Sequence, residues 1–313
     1  MKKLNIIYMG SSDISIKPLE NLINNFNVIA VVTKKDALVG RKKVLTPTPV
    51  KVLAVKNNIK VLTPSNIKEE YSSVLELNPD LIVTCSYGQI IQKSIIDYPK
   101  YGCINIHASL LPKYRGGAPI QRAIMNNEKY SGVTIMYMDE HMDTGDMICS
   151  EKIKIEENDN LTTLSDKIST VGSKLIVETI NNILDGNIKR IKQNDDESSF
   201  APIIKKEDEL IDFNKPARDV FNKIRAINPN PGAYFKLDGK IIKVYESKVL
   251  DKKISSPGLI TNISKEGIEI DCLDNKILIT KIKPEGKKIM LVKDYINGIK
   301  KENFVGKSII IDK

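Results

Sequence analysis

The sequence has no tryptophan, two histidines and four cysteines, and only 5% of its 313 residues are aromatic. Each shortage removes a class of function. With His107 and His141 alone, and no H-x-x-x-H spacing, a histidine-rich metal centre has no ligand set; His107, His141 and Asp143 are the only weak candidates. Cys85, Cys103, Cys149 and Cys272 are scattered, with no C-x-x-C pair, so zinc ribbons, dithiol redox motifs and disulfide frameworks are not expected. Cys85 and Cys103 fall in apolar runs, where cysteine usually serves as inert core. No window reaches the roughly 18 consecutive apolar residues of a membrane span. The opening MKKLNIIYMG has two lysines and a short apolar run, but Asn5 interrupts it and no small-residue cleavage site follows. That reads as a first strand in a cytoplasmic protein, not as a secretory leader. A dinucleotide fingerprint is missing too: GSSDIS at 10–15 holds only the first glycine of G-x-G-x-x-G.

What is present is a chain long enough for roughly two domains. Its 41% hydrophobic residues can build a real core, and its 28% charged residues suit a water-facing surface. The formal charge is +9, unevenly spread. Residues 205–313 carry 23 Lys and Arg against 16 Asp and Glu, a balance of +7; residues 1–204 carry 25 against 23, or +2. Such asymmetry suits a polyanionic partner, nucleic acid or an anionic membrane, and equally a lysine-rich solvated surface.

The first two hundred residues alternate short apolar runs with helix-like segments. LNIIYM (4–9), VIAVVT (28–33), LIVTCSYG (81–88) and CINIHAS (103–109) are apolar on both faces, as buried parallel strands are. The fold class expected is α/β, a Rossmann-like doubly wound, mostly parallel sheet whose ligands collect at the carboxyl ends of the strands. Residues 161–184 place Leu161, Leu164, Ile168, Val171, Leu175, Ile180 and Ile183 at helical spacing, with Asn160 as cap and Gly186 as stop. A polar stretch centred on QNDDESS follows. The expected domains are 1–187, a linker at 188–208, and 209–313. The last contains one helix-like segment (216–227) and many short strands, AYFKL to SIIID, separated by Gly, Pro and Asp: a small OB-like β-barrel with a basic surface.

Three polar residues carry the chemistry. Asn105 and His107 sit two apart where an apolar strand ends, and Asp143 lies in the loop HMDTGD. A histidine base, a carboxylate to orient it and an amide donor for an oxyanion form a workable constellation. No serine or cysteine occupies an elbow-type motif, so the nucleophile would belong to a substrate, as in group transfer to an external amine or hydroxyl. Read one residue at a time, His107 could instead be a hydrogen-bonded core histidine and Asp143 a turn former before Gly145. A second feature is the stretch 34–51, where Lys34, Lys35, Arg41, Lys42, Lys43 and Lys51 face one acid, Asp36. Gly40, Pro47 and Pro49 disfavour a regular helix there, and a long basic loop suits a phosphate backbone. The plain alternative is a solvated charge run.

NIHASLLPKYRGGAPI followed by MDTGD resembles the signature of the folate-dependent formyltransferases. The likeness runs from about residue 4 to the C-terminus and takes in GSSD, DALVGRKKVLTPTPVK, CSYG at 85–88, INPNPGAYF at 227–235 and PEGKKIM at 284–290. The GRKK loop and the C-terminal barrel point to the branch acting on methionyl-tRNA. The resemblance implies that a formyl group passes from 10-formyltetrahydrofolate to the α-amine of methionine on initiator tRNA, with no metal and no membrane, in a monomer. It assigns catalysis to Asn105, His107 and Asp143. It gives folate contacts to Ser109, Leu110, Leu111 and Pro112, and to the backbone around Tyr87 and Gly88. Contacts to tRNA fall to Arg41, Lys42, Lys43, Lys34 and Lys35, with the barrel gripping the tRNA through charge and shape.

The chain departs from the family pattern at several places. Ile14 stands where an aromatic is usual, Tyr114 and Asn230 stand where Trp is common, and the G-R-G-K-K motif lacks its second glycine. None of these touches the catalytic three. Other readings are a formyltransferase acting on an amino-sugar nucleotide or on glycinamide ribonucleotide, a non-catalytic RNA-binding protein, and a nicotinamide dehydrogenase.

Overall fold

A computed structural model describes residues 4–40, 42–298, 302 and 304–309. Its strands are β1 (Asn5–Gly10), β2 (Asn27–Val32), β3 (Ala37–Val39), β4 (Val44–Thr46), β5 (Lys60–Leu62), β6 (Leu81–Cys85), β7 (Cys103–His107), β8 (Tyr130–Tyr137) and β9 (Met147–Lys154), then β10 (Tyr234–Leu237), β11 (Lys240–Leu250), β12 (Ile260–Ile263), β13 (Ile268–Asp271), β14 (Lys276–Pro284) and β15 (Met290–Leu291). Helices are α1 (Ile16–Asn25), α2 (Pro49–Lys56), α3 (Ser72–Leu75), α4 (Lys93–Ile96), α5 (Pro119–Met125), α6 (Leu161–Leu184), α7 (Ala217–Ala226) and α8 (Val292–Tyr295).

The first compact unit is built on a seven-stranded sheet in the order β5-β2-β1-β6-β7-β8-β9. The pairs from β5 to β7 are parallel, and β8 and β9 add on antiparallel. This is the Rossmann-like, mostly parallel sheet that the apolar runs predict. Every residue of β6 is buried, as are Ile6 to Gly10 of β1, because helices cover both faces. Local chemistry sets the helix ends. Thr48 caps α2 by accepting from the Lys51 N–H at 3.1 Å, with Pro49 already fixed in helical φ. Asn160 and Thr163 exchange reciprocal bonds at the start of α6, and Gly186 ends its last turn at φ +72°. Gly172 lets α6 lie close on β7, since a Cβ there would stand 3.1 Å from Ile106 Cγ2.

The second unit carries the antiparallel sheet β10-β11-β14-β13-β12, with β15 on β14. Bulges at Val244 to Ser247 bend β11 against β14, giving the OB-like half-barrel. Its core gathers Ile224 of α7 with Ile242, Val244, Ile270 and Ile279, and sets Phe213 edge-on to Phe235 at 5.9 Å. The expected strand SIIID falls mostly outside the described residues; Ser308 makes a bridge with Leu259.

Chain and unit boundaries do not run in simple succession. Residues 120–129 and 155–164 belong with the second unit, which otherwise starts at Pro202. Within the stretch 188–208, residues to Ala201 belong to the first unit. Ile191 exchanges two backbone bonds with Met147, while the Arg115 N–H donates to the Ser199 carbonyl and the Arg115 carbonyl accepts from the Ala201 N–H, a short parallel bridge.

The stretch 34–51 also differs from the loop the sequence suggests. Residues 37–46 form a two-stranded hairpin, with Gly40 and Lys43 both at positive φ in its turn. Arg41 lies outside the described residues.

Candidate functional site

The site forms where β6 and β7 end. Asn105 pairs with Thr84 across these strands, and His107 is paired with Thr134 of β8. Thr84, 3% exposed, donates its hydroxyl to Asn105 Oδ1 at 2.7 Å. That fixes which way the carboxamide faces. Its oxygen is turned to the threonine, and the N–H pair is left without a partner among the described residues.

His107 is 5% exposed. Its Nε2 lies 3.0 Å from the Tyr114 carbonyl, which can only accept, so Nε2 carries a proton and donates. Nδ1 faces Asp143 Oδ1 at 3.5 Å. The 3.5 Å gap is longer than a formed hydrogen bond, so the carboxylate stands beside the ring as a charge.

Asp143 reaches this position through its backbone. It adopts φ +57°, and its Oδ2 accepts the Gly116 N–H at 2.8 Å. Gly145 is required beside it because a Cβ would collide with the Tyr137 carbonyl. Two loops, 114–116 and 143–145, thus converge on one imidazole.

The segment after β7 is equally fixed. Thr134 Oγ1 donates to the Ser109 carbonyl at 2.7 Å and accepts from the Leu111 N–H at 3.1 Å. Ser109 Oγ donates to the Lys113 carbonyl at 2.6 Å. Leu111 is buried, while Leu110 and Pro112 are half-buried. On the other side, Ser11 Oγ donates to the Tyr87 carbonyl at 3.0 Å and Ser12 to Ser86 at 2.8 Å, tying the turn after β1 to the turn after β6. Gly88 sits at φ +82°, and a Cβ on it would meet Lys34 Nζ at 2.5 Å. The Tyr87 hydroxyl is buried with no hydrogen-bond partner among the described residues; burial, and after it the Glu70 carboxylate, push this phenol up to about 12.

The cations of the hairpin are placed differently. Lys34, Lys35, Lys42 and Lys43 are exposed, whereas Lys51 is spent on Asp36 at 2.8 Å. Leu38, Val39, Val44 and Leu45 are 54–63% exposed, an apolar surface the charge count does not disclose. Burial pushes the Cys85 thiol up to about 11 and the Cys103 thiol further still. Among the described residues, no group of three His, Cys, Asp or Glu side chains is placed to hold a metal ion, and no helix is long and apolar enough to cross a membrane.

Sequence reasoning missed Thr84, Thr134 and Gln193. Thr84 is the lone hydroxyl in the apolar strand LIVTC, and Thr134 interrupts the apolar run of GVTIM, which is the one signal available. Gln193, whose amide donates to the carbonyls of Asp143 and Gly145, hides in a polar stretch.

Comparison with known proteins gives concordant matches. Residues 4–180 match the family described as Formyl transferase, and residues 203–300 match Formyl transferase, C-terminal domain. A methionyl-tRNA formyltransferase of Bacillus velezensis is 47% identical over 298 residues, covering 94% of each chain. One from Staphylococcus aureus is 45% identical over 309 residues, covering 97% of this chain and 99% of its own. Among solved structures, an N-formyltransferase from Helicobacter canadensis, in complex with folinic acid and dTDP-3-aminofucose, superposes with a TM-score of 0.67 at 26% identity. That match covers 89% of this chain and 99% of the other.

Proposed function

The chain belongs to the formyl transferase family, and on that premise we propose that it formylates the α-amino group of methionyl initiator tRNA. 10-Formyltetrahydrofolate supplies the formyl group: a C–N bond forms to the methionyl amine, the bond from the formyl carbon to N10 breaks, and the proton lost by the amine is balanced by one gained at N10. Asn105 donates its free N–H pair to the negative charge that develops on the formyl oxygen, in the orientation imposed by Thr84. His107 takes the amine proton at Nδ1, the nitrogen not committed to Tyr114, and Asp143 balances the resulting imidazolium. The oriented Asn105 amide beside a His107–Asp143 pair carries this reading, because such a set serves acyl transfer to an external nucleophile.

Folate would lie along the turn Ser109, Leu110, Leu111 and Pro112, facing the backbone of Tyr87 and Gly88. The half-buried Leu110 and Pro112 on a rigid backbone suit a flat heteroaromatic ring. Lys34, Lys35, Lys42 and Lys43, with Arg41, would take the tRNA phosphates. In this division of labour the unit built on the seven-stranded sheet, which takes in residues 188–201, catalyses, and the basic C-terminal unit holds the tRNA. The enzyme would act as a cytoplasmic monomer without a metal.

A direct assay decides. Purified protein is given initiator Met-tRNA and 10-formyltetrahydrofolate, with His107→Ala alongside. Formyl-methionyl-tRNA from the first and at least about 10²-fold less from the second is the expected outcome. Formylation of dTDP-amino sugars but not of Met-tRNA would replace the acceptor and keep the chemistry. Equal activity of the two proteins would remove His107 from the reaction.

A further inference from the structure

Asp143 is held from three sides, and the third lies in the polar stretch that looks like a connector. Gln193 Nε2 donates to the Asp143 carbonyl and to the Gly145 carbonyl, each at 2.8 Å. Its Oε1 accepts from Arg115 Nε at 2.9 Å. The amide is therefore fully committed: both hydrogens go to the 143–145 loop, and the oxygen goes to the 114–116 loop. Arg115 is 3% exposed, and its Nη2 pairs with Asp195 at 2.8 Å. The same two loops supply the partners of His107, the Tyr114 carbonyl at Nε2 and the Asp143 carboxylate at Nδ1.

The geometry points to Gln193, backed by Arg115, as the positioning residue that sets the His107–Asp143 distance; this rests on the reading of His107 and Asp143 as catalytic. Three observations lead there. The residue at 143 is a non-glycine at φ +57°, a conformation that needs outside support, and two bonds from one amide to residues 143 and 145 supply it. The Gly116 N–H already binds Asp143 Oδ2, so Oδ1 can approach Nδ1 only as far as the two loops are drawn together. Gln193 joins those loops, one directly and the other through a buried guanidinium, and the backbone ladder of Arg115 with Ser199 and Ala201 anchors the strap it belongs to. Asp195, by contrast, has an 84% exposed side chain and contributes less, as solvent-screened pairs do.

Two near-isosteric variants separate the roles. Gln193→Met keeps the volume and removes all three bonds. Gln193→Glu keeps the partner of Arg115 but turns a carboxylate oxygen onto two carbonyl oxygens. Single-turnover formylation, KM for both substrates and the melting temperature are measured on the full chain, beside Asp143→Asn and Asp195→Ala. We expect kcat to fall on the order of 10- to 100-fold in both Gln193 variants, the cost of an ångström-scale misplacement, with both KM values within about twofold. Asp195→Ala should stay within about threefold of wild type. A wild-type kcat in folded Gln193→Glu, or a lowered melting temperature with kcat unchanged, overturns the proposal. If Asp143→Asn is inactive while both Gln193 variants work, positioning fails and the catalytic reading stands. If Asp143→Asn is itself fully active, both fall.

Discussion

The carboxyl end of β7 and the hairpin of β3 and β4 belong to the same compact unit, yet they are held on opposite terms. At the strand end, His107, Thr84 and Thr134 are buried, and the side chain of each is assigned to a partner. In the hairpin, all six strand residues are exposed, and the chief side-chain tie near its base is Lys51 to Asp36. The difference fits the two tasks proposed for these regions. An oxyanion donor helps only if it is aimed before charge develops, so its surroundings must be rigid. A polyphosphate is bound by charge over many geometries, so rigidity there would add little.

The largest expected effect tests the rigid side. Asn105→Ala removes the oriented donor and should lower kcat by about 10²–10³ while the fold and both KM values persist. Parallel melting curves and single-turnover rates check this. Near-full activity in a folded variant would mean that the buried network serves stability alone, and the contrast with the hairpin would lose its functional meaning.

Next comes the compliant side. Lys42→Glu with Lys43→Glu should weaken tRNA binding by at least about tenfold at low salt. The slope of log K against log salt should flatten by roughly one for each phosphate that is no longer neutralised. Folate affinity and kcat at saturating tRNA should be unchanged. If kcat falls instead, the hairpin takes part in aligning the acceptor end, and its exposed Leu38, Val39, Val44 and Leu45 become the first residues to examine.

How much of this was readable in the sequence depends on whether burial leaves a pattern. Helix α6 was readable end to end because its apolar residues recur at helical spacing between Asn160 and Gly186. The strands β1, β6 and β7 were readable because a sheet covered on both faces demands unbroken apolar runs. The hairpin was not. ALV and VLT are three-residue strands exposed throughout, with no buried face to impose alternation. Asn105, His107 and Asp143 stood out as lone polar groups at the ends of apolar or glycine-rich segments, and the fold brings His107 and Asp143 within 3.5 Å. Gln193 could not stand out. Its partners lie 48, 50 and 78 residues away, and in a run of polar residues nothing local separates a structural amide from a solvated one. The stretch 188–201 therefore reads as connector while packing as part of the first unit.

The smallest effect is the sharpest probe of preorganisation. Thr84→Val keeps the shape of a fully strand-embedded residue and removes only the hydroxyl that holds Asn105 Oδ1. Asn105 would still be present, but its amide would be free to turn its oxygen toward the developing negative charge. A hydrogen bond of this kind is worth about 1 kcal/mol, so kcat should drop roughly three- to tenfold with KM unchanged. Thr84→Ser, which restores the hydroxyl, should recover most of the rate. A valine variant at full speed would show that strand backbone alone aims Asn105. Loss in both variants would mean that the hydroxyl, absent from valine, and the methyl, absent from serine, are both needed to hold Asn105.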